Sequence, residues 1–181
     1  MRDATFCPAD LTTFGRLDDL GLEVVGQQLH PDHAVLLCRV VEPDDWCHSC
    51  GCLGVPRDPV LRRLAHVPLG WRATILHVRI RRYRCSGCGQ IWCQDTTAAA
   101  APRAKLSTQA VMWALKSVVI DRMSIARIAA ALGVSWHTVN DAVLATGHRL
   151  LIAGPTRFRR CPGVDDHACA TLAAGTSSLP S

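Results

Sequence analysis

No apolar run in this 181-residue chain approaches the roughly 18 residues that a membrane span needs. The first residues, Met1-Arg2-Asp3-Ala4, lack the charged-then-apolar pattern of a secretory leader. Charged residues are scarce at 19%, against 49% hydrophobic, which excludes a largely disordered polymer. These absences argue against membrane-bound and secreted classes. They lead us to expect a cytoplasmic globular protein of one ordinary domain or two small ones. What is present in quantity is cysteine, ten in all. Without a leader, that number points to metal ligands rather than to a disulfide framework.

The net charge of +5 hides a segregation. Residues 1–46 carry three Arg against nine Asp and Glu, whereas residues 56–84 carry eight Arg against one Asp. Residues 85–181 carry nine basic and five acidic groups. A local excess made almost wholly of arginine is a candidate phosphate-binding surface, because the guanidinium fork binds phosphate through two bonds. The alternative is a solvated basic face with no partner.

Periodicity divides the chain in two. Residues 21–29 and 33–42 read as a hairpin around His30-Pro31-Asp32. Residues 73–84 read as a strand of period two. Leu76, Val78 and Ile80 face one way on it, and His77, Arg79 and Arg81 face the other. Residues 94–104, with a run of four alanines before Pro102, read as a linker. Helical patterns follow from Ser107 to about residue 120, over 125–132 and over 136–150. Residues 171–181 have the composition of a disordered tail.

Two segments match each other: Cys47-His48-Ser49-Cys50-Gly51 and Cys85-Ser86-Gly87-Cys88-Gly89. The two-residue spacing lets both thiolates of a tight turn reach one ion, and the following Gly relieves the turn. Two such turns complete a closed tetrahedral site for structural zinc, with Cys47, Cys50, Cys85 and Cys88 as ligands. The gap between them has room for a hairpin, so a zinc ribbon is expected. Four thiolates leave no open position, so the ion folds the domain and performs no chemistry. Loss of Cys85 is expected to unfold residues 45–93. A redox Cys-x-x-Cys is the competing reading, but it calls for one motif at a helix start, not a pair among strands. His48 and Cys52 lie close enough to substitute as ligands. Cys93 reads as core, and Cys7, Cys38, Cys161 and Cys169 as ordinary small hydrophobes.

Residues 124–143 carry a helix-turn-helix pattern. Ser124 and Ser135 are placed to cap two helices, Gly133 to end the first, and Ala129 to be small where the second crosses. Ile128, Leu132, Val134 and Val139 would form the shared core. The second helix would present Trp136, His137, Asn140 and Asp141 to duplex DNA, with Asn140 able to bond an adenine edge. Arg127 and Arg122 would hold the phosphate backbone. The competing reading is a helical hairpin used only for packing, with Trp136 as its anchor.

In order, the chain has an acidic hairpin, a Cys-x-x-Cys, an Arg-rich strand into a second Cys-x-x-Cys, and a helix-turn-helix. That order resembles the N-terminal half of bacterial insertion-sequence transposases of the L-three family. The segment Val78-Arg79-Ile80-Arg81-Arg82-Tyr83-Arg84-Cys85 is similar to that family's strand into its second zinc knuckle. The resemblance covers residues 20–168. It implies a ribonuclease-H-like catalytic domain beyond the helices, with two Asp and one Glu holding two Mg ions in a full-length relative. By the match Gly163-Val164-Asp165-Asp166-His167, Asp165 would be the first of these carboxylates. A single Asp cannot hold two ions, so this Asp165 is expected to be inactive. Pro162 also weakens a strand leading into it. A family-like continuation, Trp-Arg-His-Thr-Arg-Arg-Gly-Asp-Lys-Phe, can be coded so that loss of one G yields residues 169–177. The tail after residue 168 is therefore expected to be out of frame.

The resulting expectation is an α+β chain, with a small β-rich zinc ribbon followed by a three-helix unit. Residues 1–45 would be an acidic hairpin region, 46–93 the ribbon, 94–104 the linker and 105–152 the helix-turn-helix. Residues 153–181 would be a linker and the start of a truncated catalytic domain, expected to be disordered. The expected function is recognition of an element's terminal inverted repeats as double-stranded DNA, without catalysis. Arg79, Arg81 and Arg82 would lie on phosphate, and a homo-oligomer would be compatible with the family. The alternatives are a stand-alone transcriptional regulator and a zinc-ribbon module for protein contact. An intact nuclease or redox enzyme is the least favoured.

Overall fold

The computed structural model describes residues 9–152. Asp10 caps a single turn, α1 (Leu11–Phe14), by accepting from the backbone N–H groups of Thr12 and Thr13. A 3-10 turn at Asp18–Leu20 leads into the hairpin of β1 (Leu22–Leu29) and β2 (His33–Val40). A second, longer hairpin joins β3 (Gly54–Leu69) to β4 (Arg72–Cys85), and β5 (Ile91–Cys93) follows. Three helices complete the order: α2 (Thr108–Val119), α3 (Ile125–Leu132) and α4 (Trp136–Gly147), with a π-helical turn at His148–Ile152. The fold is α+β, and no described helix is long and apolar enough to cross a membrane.

The sheet is mixed, in the order β1-β2-β4-β3. β2 runs parallel to β4, pairing His33–Arg39 with Ala73–Arg79. β5 pairs antiparallel with Arg82–Arg84 farther along β4. The hairpin assigned to residues 1–45 thus shares one sheet with the segment between the cysteine turns. The reason is burial: Leu36 and Cys38 lie beside Leu76 and Val78 on one face, all nearly inaccessible. Leu64, Leu17, Leu20 and Leu22 close that core. On the order of 2 kcal/mol per buried leucine makes this the dominant stabilisation of the sheet.

Residues 94–104 are not a loose linker. Ala99 and Ala100 are fully buried in the same core. Arg62 donates to the carbonyls of Ala101 and Ala104 and to Thr96 Oγ1, tying the segment to β3. An alanine run that looks like spacer is thus part of the core.

The other face of the sheet carries the helices at one end. Ala65 packs into a second core with Ala110, Ala114, Ile128, Leu132, Val139 and Val143. A Cβ on Gly133, between α3 and α4, would come within 3.3 Å of Ala73 Cβ. By strand alternation Ala73, Ile75, His77, Arg79 and Arg81 share that face. The helices therefore cover its start, and Arg79 and Arg81 stay exposed beyond them.

Candidate metal centre and nucleic-acid interface

Each cysteine turn is built by its backbone. In the first, Cys47 N–H donates to the Cys52 carbonyl at 2.9 Å and Gly51 N–H to the Cys47 carbonyl at 2.8 Å. In the second, Cys85 N–H donates to the Gln90 carbonyl at 2.8 Å. Gly51 and Gly89 both take left-handed backbone, φ 69° and 75°. These are the glycines that close each motif, and the conformation explains them. Ser86 fastens the two turns together, its N–H and hydroxyl both donating to the Leu53 carbonyl.

The four sulfurs of Cys47, Cys50, Cys85 and Cys88 lie within 4.8 Å of one another. Cys50 and Cys85 are 3.3 Å apart, and Cys47 and Cys88 are 3.6 Å apart. A tetrahedral ion with metal–sulfur bonds of about 2.3 Å sets its sulfurs roughly 3.8 Å apart, so the cluster fits one metal ion. The N–H groups of Cys88 and Gly87 each approach Cys85 Sγ to 3.3 Å. The Cys88 N–H is the main cause that lowers the Cys85 thiol to about 6. At Cys88 a bond from Gln90 N–H acts downward, but the neighbouring thiols outweigh it and push the group up to about 12. Four thiolates this close repel each other, and a cation removes that repulsion.

Neither proposed substitute ligand joins the cluster. His48 Nε2 pairs with Asp44 at 2.8 Å. Cys52 stays outside the four-sulfur group, close enough to Gly87 that a Cβ there would sit 2.8 Å from its Sγ. Trp92 supports the site, stacking on Tyr83 at 5.6 Å and donating from Nε1 to the Asp44 carbonyl. Gly54 is required beneath it, since a Cβ would lie 2.6 Å from the indole. Cys93 is exposed, contrary to its reading as core. On the short edge strand β5, Trp92 takes the inward position and so turns Ile91 and Cys93 outward. Cys38 is buried as expected, and burial pushes its thiol up to about 12. Cys7, Cys161, Cys169, Asp165 and the proposed out-of-frame tail lie outside the described residues.

The helical unit takes its expected caps. Ser107, Ser124 and Ser135 accept from the N–H groups of Ala110, Arg127 and Thr138. Gly133 ends α3 at φ 65°, a conformation that a Cβ disfavours. Ile128, Ala129, Leu132 and Val139 are buried between the helices. Trp136, His137 and Asp141 are exposed at the start of α4, Asn140 is half-buried, and Arg127 is exposed on α3. Trp136 and His137 meet edge to face at 5.3 Å.

Arg79 and Arg81 line a groove of about 430 Å³ on the open sheet face, together with Arg39, Arg57 and Leu37. Arg82, grouped with them from the sequence, falls on the opposite side of β4 by alternation and is absent from the groove. Glu23 pairs with Arg39 at its rim, at 2.7 Å.

His66 carries no sequence signal and proves central. It is buried between β3 and the start of α2, with Nδ1 2.8 Å from Ser107 Oγ. Burial lowers its pKa to about 4, against an opposing bond with the Gly15 backbone. Comparison with family models, curated proteins and solved structures found no match to this chain.

Proposed function

We propose that this chain is a zinc-containing, sequence-specific binder of double-stranded DNA. The observation that carries the reading is the α3–Gly133–α4 unit. Its caps and turn glycine set a second helix with exposed Trp136, His137 and Asp141 at its start. In a helix-turn-helix those residues face base edges in the major groove. Arg79 and Arg81 then supply phosphate contacts from the sheet. The metal we assign is zinc, because four soft thiolates at tetrahedral spacing suit it and leave no open position for catalysis. The segment between the cysteine turns is on this reading a zinc ribbon.

The resemblance to L-three insertion-sequence transposases makes the terminal inverted repeat of such an element the preferred target. The role assigned to the described residues is recognition of that repeat.

The test is selection from a library of random duplexes, followed by affinity measurements on the selected sequence. Asn140→Ala is expected to relax discrimination by about 1–3 kcal/mol at one position, whereas Arg81→Ala weakens all duplexes alike. Identical profiles for the two variants would refute the division between base reading and phosphate contact. Weak, salt-sensitive binding without sequence preference would refute the reading itself and favour a protein-contact module.

A further inference from the structure

The β3–β4 hairpin ends in a two-residue turn, Gly70-Trp71, closed by the pairing of Leu69 with Arg72. Both turn residues have positive φ, 57° at Gly70 and 67° at Trp71. Such turns ordinarily use Gly or Asn at both places, because a bulky side chain is strained there. Trp71 is also fully exposed, at 103% of its reference area. A large apolar ring held in a costly backbone conformation, and buried against nothing, contributes little to the fold. Strain of this kind concentrates where a side chain is kept for a ligand.

The position of the tip narrows the ligand. Ala73, two residues along, lies near the Gly133 turn that precedes α4, where an added Cβ would come 3.3 Å from its own. Following that approach, Trp71 lies at most roughly 25 Å from Trp136, at about 3.8 Å per residue of chain. One turn of duplex is about 34 Å, so a duplex seated on the start of α4 passes within reach of the tip. Exposed Arg72 adjoins Trp71, and the strand that follows is rich in arginine. That charge favours a polyanion over an apolar partner.

We propose that the Gly70-Trp71-Arg72 tip is a second contact to the same duplex, entering the groove next to the one that α4 reads. Trp71 rests its ring against a base step there, and Arg72 holds the flanking phosphate. The inference rests on the duplex reading above and adds to it an anchor outside the helix-turn-helix.

The experiment uses the full, metal-loaded chain and the duplex pool that the wild type selects from random sequence. Trp71→Gly removes the ring and relieves the backbone. The variant is expected to melt at the same or a higher temperature and to select the same core sequence. Its affinity is expected to fall about tenfold, the net of a lost wedge contact after the cost of opening the base step. Hydroxyl-radical footprinting is expected to lose protection on one flank only, and Arg72→Ala to reduce the salt slope by about one. Wild-type affinity and an unchanged footprint in Trp71→Gly would overturn the proposal. So would loss of self-association in light scattering with unchanged affinity, which would assign the tip to a protein partner. If the wild type selects no duplex, the DNA reading itself fails before any variant is made, and the tip assignment falls with it.

Discussion

Single atoms decide two properties of this protein. His66 is buried with a depressed pKa of about 4, against 6.5 for a free histidine. Between those values the unfolded chain binds the proton more readily than the native one, so stability falls as pH drops. Its contribution is complete above pH 6.5 and is lost on the way down to about pH 4. The expected loss is about 3 kcal/mol, read from urea melts across that window, and His66→Gln should flatten the dependence. Gly87 governs the metal site in a different way. A methyl group there meets Cys52 Sγ at 2.8 Å, so Gly87→Ala should lower metal affinity in a competition with a chelator. Cys52→Ala in the same chain should restore it, because Cys52 is not one of the four clustered thiols. No rescue would mean that Cys52 itself serves the ion.

At the scale of elements, the helices follow local rules and the strands do not. Three serines and one glycine set the ends of α2, α3 and α4, and each acts on backbone within three or four residues. Such signals are readable one residue at a time. Ser135→Ala removes the bond to Thr138 N–H and is expected to cost about 1 kcal/mol of stability in urea melts. The start of α4 should loosen with it, seen as faster amide exchange at Thr138. The strands were legible in their alternation, so Leu76, Val78 and Ile80 face the core as the period requires. Their partners were not. A bulge in β3 between Arg57 and Val60 shifts register against β4, and beyond Ile80 it is Tyr83 and Cys85 that are buried. Arg82 parts from Arg79 and Arg81 by strand period alone, so grouping the three from the sequence overlooked the alternation that placed Ile80 opposite Arg79 and Arg81.

Across the whole molecule the four-cysteine cluster, which could hold one metal ion, joins the two cysteine turns, while leucines pack the core of the sheet. Cys85→Ser was expected from the sequence to unfold everything from 45 to 93. The parallel pairing of β2 with β4, and the packing of Leu36, Leu64 and Leu76, argue for a smaller effect. Removing the metal with a chelator should expose amides near residues 46–54 and 83–93. Protection at Leu64, Leu76 and Val78 should persist, as hydrogen exchange can measure. Loss of protection at Leu76 together with Cys85 would show instead that the sheet has no stability apart from the ion.

The cysteine turns, the helix caps and the inward face of β4 were set by short-range chemistry: ligand spacing, capping oxygens and strand period. Each acts within a few residues, so the order of amino acids is enough to state it. The joining of the N-terminal hairpin to the long one, the packing of Ala99 and Ala100, and the burial of His66 were set by contacts between distant segments. So was the placing of Ala73 beside the turn before α4. Burial of apolar area has no direction and carries no local mark. Where it joins distant segments, three-dimensional packing chooses the partners.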